Sequence, residues 1–127
     1  TLEEPVDLAE KLAPLLNGTS SPCAVIIDSV DVWVANLLME NQTENKQALE
    51  KIVMVQAGKL LTLAADSRQV FVMVSSEVGL SLVPPEPLGR RFQDLLGMVN
   101  QEIAASATEV YMVIAGIPLK IKPANIK

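Results

Sequence analysis

The 127-residue sequence contains no histidine. Catalysis through an imidazole base or nucleophile, and metal sites built on imidazole, are therefore outside its reach. Aromatic residues make up only 3%, so the core must be aliphatic. One cysteine, Cys23, excludes an internal disulfide and fits a reducing compartment. Neither a G-x-x-x-x-G-K-[ST] stretch nor a G-x-G-x-x-G stretch occurs, so these residues supply no glycine-rich loop to cradle phosphates. Positive charge is in deficit, with 10 Lys and Arg against 15 Asp and Glu. The net charge of −5 disfavours a protein that coats nucleic acid. The longest apolar run, Val110 to Leu119, is too short to span a bilayer and holds Gly116 and Pro118. No basic stretch leads into an apolar one at the front, so no secretory signal is expected and a cytoplasmic location is. The first residue is Thr rather than Met, which predicts processing or a missing front portion.

What the sequence does have is aliphatic patterning. Half the residues are hydrophobic and 20% are charged, a balance that excludes disorder and suits one domain. A helix is expected up to Leu16 from Pro5, a residue suited to a first helical position. Pro14 should kink or end it, and Asn17-Gly18 should stop it. Cys23 to Ile27 is an unbroken apolar run closed by Asp28, which predicts a strand buried on both faces, as in parallel sheets. Cys23 and Trp33 are expected in the core. Helices follow over Ser29–Met39 and Lys46–Ala65, then an apolar strand over Val70–Val74. Ser75 to Pro87 reads as a loop, Glu86 to Ala107 as a helix, and Val110 to Ile114 as a third buried strand. A tight turn at Gly116 returns Leu119 to Lys122 as an antiparallel edge strand. The order α-β-α-α-β-α-β-β predicts an α/β fold with a mainly parallel sheet.

Ligands of such sheets lie beyond the carboxyl ends of the strands, where Asp28 and Glu77 fall. An apolar strand ending in Asp has the form of a Walker B element, whose carboxylate holds Mg²⁺ beside nucleotide phosphates; a turn or helix cap uses the same pattern. Glu77 either faces the cleft or caps backbone N–H groups of its own loop. Glu3 either reaches a ligand hydroxyl or sits on a helix dipole. Arg90 and Arg91 either meet a phosphate or lie on a solvated helix face.

The stretch VMVSSEVGLSLVPP, followed by LGRRFQDLLGMVNQEIA and EVYMVIAGIPLKIK, strongly resembles the C-terminal part of the adenosylcobinamide kinase/adenosylcobinamide-phosphate guanylyltransferase family. The opening Thr1-Leu2-Glu3-Glu4-Pro5 and the later Asn36-Leu37-Leu38 also resemble this family, so the likeness spans essentially the whole chain. It implies a RecA-like P-loop domain, of which residues 1–127 form the C-terminal part, without the P-loop strand. It implies cobalamin biosynthesis: phosphorylation of adenosylcobinamide by ATP or GTP, then transfer of GMP from GTP through a guanylylated histidine. It implies GTP contacts at Glu3 and Asp28, Mg²⁺ held through the nucleotide at Asp28, and a homotrimer. The P-loop and the histidine of the family match nothing here, and Ser81 stands where the family usually has Gly. The chain alone is accordingly expected to be inactive. A non-catalytic module that binds corrinoid or assembles with another subunit is the alternative.

Overall fold

The computed structural model describes residues 1–123. The elements are α1 (Leu8–Asn17), β1 (Ala24–Asp28), α2 (Val30–Glu40), α3 (Lys46–Asp66), β2 (Val70–Val74), α4 (Pro87–Ser106), β3 (Val110–Ile114) and β4 (Ile117–Lys122). This is the expected order. Helix α1 starts later than Pro5 because Glu4 Oε1 accepts from the N–H groups of Val6 and Asp7 at 3.1 and 2.9 Å and folds the entry into a turn. The helix runs through Pro14 and stops at Asn17. Asn45 caps α3 by accepting from Ala48 N at 3.0 Å. Pro87 opens α4, where a missing N–H costs nothing.

The sheet departs from expectation. Strands β1 and β2 pair in parallel, from Ala24 opposite Val70 to Asp28 opposite Val74. Strands β3 and β4 form a separate antiparallel hairpin. Its turn uses positive φ at Ala115 (51°) and Gly116 (78°), the geometry that matches strand twist in a two-residue hairpin. Lys122 Nζ ties the hairpin to the end of α4 by donating to the carbonyls of Ala104 and Ala105. The result is a mixed α/β structure holding two two-stranded sheets, not one continuous parallel sheet.

The core lies on one side of the parallel pair. Val25, Ile27, Phe71 and Met73 face the buried cluster of Trp33, Val34, Leu37, Leu49, Val53, Leu95, Leu96 and Val99. The alternate residues face outward: Ile26 is 67% and Val70 64% exposed. Strands β1 to β3 are therefore not buried on both faces, because nothing among the described residues covers the second one. Their all-apolar sequence still records a second face built for burial. Cys23 is also exposed rather than core. It precedes β1, and its backbone pairs with Gln69 Oε1 and Val70 N at the open amino end of the strands.

Helix length shapes the rest. A five-residue strand extends about 17 Å, whereas α3 (21 residues) and α4 (20 residues) run about 30 Å each. Asn100 of α4 bonds Ser75 and Ser76, level with the carboxyl edge of β2. Residues 87–99 of α4 therefore extend beyond that edge, reaching about 20 Å at Pro87. Lys46 at the start of α3 reaches Asp94 at 3.4 Å, and Leu38 and Met39 near the end of α2 share an open groove with Leu88 and Phe92. The whole of α2 and the first halves of α3 and α4 thus form a helical overhang above the carboxyl edge. Leu96, fully buried in this assembly, is a direct test of its packing: Leu96→Ala should cost about 2–5 kcal/mol in urea unfolding of the complete gene product.

Candidate functional site

Asp28 ends β1, exposed, at the carboxyl edge. Val74 lies opposite it, so Ser75, Ser76 and Glu77 leave β2 just beyond the same edge. Three elements meet here through a chain of hydrogen bonds. The Ser75 hydroxyl donates to Asn100 Oδ1 at 2.7 Å, Asn100 Nδ2 donates to the Ser76 carbonyl at 3.0 Å, and the Ser76 hydroxyl donates to Asp31 Oδ2 at 2.6 Å. The chain of bonds locks the exit of β2 between α4 and the first turn of α2.

Asp31 is the residue that sequence reasoning missed. It lies one turn past Asp28 and would pass as a solvated first-turn carboxylate. Its Oδ1 is buried without a hydrogen-bond partner among the described residues. Partial burial pushes its carboxyl up. The hydroxyls of Ser29 and Ser76 and the N–H groups of Asp31 and Val32 outweigh burial and hold it below its usual range.

The expected site residues sort as follows. Glu77 turns back onto its own loop, with Oε1 accepting from Gly79 N at 2.5 Å; the loop-capping reading describes this geometry. Arg90 is spent on the carbonyls of Pro84 and Pro85. Arg91 lines a small charged recess with Lys46, Glu50 and Asp94. Trp33 is buried, and its Nε1 donates to the Val6 carbonyl at 2.7 Å. Asn36, one turn along α2, donates to the Pro5 carbonyl at 3.1 Å. These two bonds bring the Glu3 segment against α2. Glu3 itself is exposed, and the turn ahead of α1 is held by Glu4 instead. No group of three or more acidic or cysteine side chains suited to a metal ion occurs among the described residues.

Loop 75–86 is pinned along the overhang. Gln93 Nε2 donates to the Val78 carbonyl at 2.7 Å and to Ser81 Oγ at 3.2 Å. Ser81 Oγ donates to the same carbonyl at 2.7 Å. Gly89 allows Pro84 to lie flat on α4, since a Cβ there would sit 2.7 Å from Pro84 Cβ. Arg90, Gln93 and Asn100 share one stripe of α4, and each grips the loop at a different height.

Comparison with known proteins names the scaffold. The family profile described as CobU, cobinamide kinase / cobinamide phosphate guanyltransferase, matches residues 1–121. The chain belongs to this family. It is 32% identical to the bifunctional adenosylcobalamin biosynthesis protein CobU of Escherichia coli strain K12, over 92% of this chain and 68% of that protein. It is 35% identical to the CobU protein of Salmonella typhimurium strain LT2, over 78% of this chain and 58% of that protein. It is 31% identical to the CobP protein of Pseudomonas aeruginosa strain PAO1, over 96% and 65%. The match thus spans 58–68% of the relatives' lengths. No helix among the described residues is long and apolar enough to cross a membrane.

The depressed Asp31 carboxyl makes a pH prediction. Its ionised form stabilises the fold fully above the ordinary carboxylate range, and that contribution is lost as the pH falls through the lowered value. Asp31→Asn should therefore flatten the loss of stability as the pH falls below about 4, as followed by thermal melts of variant and wild type. Parallel curves would place the acid sensitivity elsewhere.

Proposed function

We propose that this chain forms the C-terminal part of one P-loop nucleotide-binding domain in a bifunctional enzyme of cobalamin biosynthesis. The enzyme transfers a phosphoryl group from ATP or GTP to the aminopropanol hydroxyl of adenosylcobinamide. It then transfers GMP from GTP to the new phosphate, releasing pyrophosphate. The observation that carries this reading is the family match from residue 1 to residue 121. The RecA-like arrangement, the homotrimer and the cytoplasmic location belong to the same proposal.

In this reading Asp28 holds the nucleotide's Mg²⁺. Mg²⁺ is usually bound by one or two carboxylates, with phosphates and water completing its shell. A single exposed carboxylate at the end of β1 fits that requirement without an acidic cluster. The ion would neutralise charge on the phosphates. Glu3 contacts the guanosine part of GTP. Its support is that Glu4 has taken over the turn ahead of α1, which leaves Glu3 for a ligand. Glu77, folded onto Gly79, acts by shaping the cleft edge.

The phosphate cradle and the guanylylated histidine come from outside these 127 residues, so the chain alone is inactive. Two features support this: β2 and β3, joined through a helix as parallel neighbours of one sheet usually are, do not pair, and Ile26 and Val70 on the outer face of β1 and β2 are exposed. A further strand between them, with apolar helices on the bare face, would join both sheets and bury Ile26 and Val70.

The test uses the complete gene product. Asp28→Asn keeps shape and removes charge, and it should lower both activities by roughly 10²-fold with little change in melting temperature. Wild-type kinase rate at limiting Mg²⁺ would remove Asp28 from the site. Glu3→Ala should raise KM for GTP at unchanged melting temperature; a lower melting temperature with unchanged GTP dependence would make Glu3 structural. Absence of both activities in the wild type would leave the non-catalytic module.

A further inference from the structure

Among the described residues, Leu80, Leu82 and Val83 are the most exposed large hydrophobic side chains, at 81%, 94% and 72%. They lie together at the tip of loop 75–86. Exposed apolar residues gathered in one patch mark an interaction or ligand-binding surface. This loop is held out. Its base is locked by Asn100 and Asp31, its middle by Gln93, and its far end by Arg90 and the Pro84–Gly89 contact. The bonds from α4 engage backbone carbonyls and serine hydroxyls of the loop, so they fix its path and leave the apolar side chains unused.

The loop starts at the carboxyl edge beside Asp28 and runs outward along the overhang. At its outer end, Gly89 also lines the open apolar groove between α2 and α4, about 260 Å³ in volume, with Leu38, Met39 and Phe92. The Pro84–Gly89 contact joins the end of the apolar loop to this groove. A nucleotide needs polar and cationic partners for its phosphates, and this surface offers none. The other substrate in the family's description is cobinamide, a broad macrocycle edged with methyl and amide groups. A rigid aliphatic strap suits that edge.

We propose that loop 75–86 is a binding strap for the corrin ring, with Leu80, Leu82 and Val83 as its contacts and Gln93 and Asn100 as its positioning residues. The proposal rests on the kinase reading above and adds to it where the acceptor lies. The ring packs along the strap, and its hydroxyl-bearing arm reaches back toward Asp28.

The experiment titrates cobinamide into the complete gene product and measures steady-state kinetics on the same samples. Leu80→Ser with Leu82→Ser should weaken cobinamide binding and raise its KM by roughly tenfold, the scale of two lost apolar contacts. KM for the nucleotide and the mass by size exclusion should stay at their wild-type values. Leu82→Met keeps the apolar bulk and should retain wild-type KM. Gln93→Ala, which frees the loop, should raise KM for cobinamide more than it lowers kcat. Unchanged cobinamide affinity in the double variant overturns the strap. A fall in oligomeric mass with unchanged affinity overturns it too, and makes the tip a contact between copies. Failure of the wild type to bind or phosphorylate cobinamide would instead refute the kinase reading itself.

Discussion

Helix α4 is the member on which the rest depends. One stripe, Leu95, Leu96 and Val99, is buried among the aliphatic side chains of α2 and α3. A neighbouring stripe, Arg90, Gln93 and Asn100, spends its polar groups on the carbonyls of loop 75–86. Packing on the first stripe fixes the height of the second. A buried apolar seam therefore sets the path of an otherwise exposed loop, and a change in the core would be felt at the cleft edge. The bonds are individually modest, each worth about 0.5–1.5 kcal/mol net. Their effect comes from gripping one loop at three heights from one rigid rod.

The second constraint is the one-sidedness of the core. Parallel strands occur almost only with both faces covered, and here one face of β1 and β2 carries aliphatic residues in the open. The hairpin of β3 and β4 is held mainly at its end, through Lys122. Exposed apolar area costs about 25 cal/mol for each Å². A domain with net stability of about 5–15 kcal/mol has little room for such a face. The chain spans 58–68% of the length of the relatives it matches.

Much of this was legible in the residues. The element order, the Val110–Ile114 strand, the Gly116 turn and the burial of Trp33 follow from periodicity and turn chemistry, which are local. Continuity of the sheet was not legible, because pairing depends on which strands are available and not on how apolar each one is. The same limit explains Cys23: an apolar run says that burial is wanted and cannot say which end of the strand stays open. The overhang was implicit in helix lengths that exceed the strands, a comparison that composition alone does not make. Asp31, Gln93 and Asn100 were invisible as site residues. Their spacing on amphipathic helices is that of ordinary solvated positions, and only the path of the loop gives them partners.

The central claim is that α4 holds loop 75–86 rigid, and amide hydrogen exchange of the complete gene product tests it most directly. The N–H groups of Gly79 and Ser81 are bonded within the loop, to Glu77 Oε1 and to the Val78 carbonyl. The account predicts measurable protection at both, lost together when Gln93 is replaced by Ala while the amides of Leu95 to Val99 keep theirs. Exchange of Gly79 and Ser81 at unprotected rates in the wild type would contradict it.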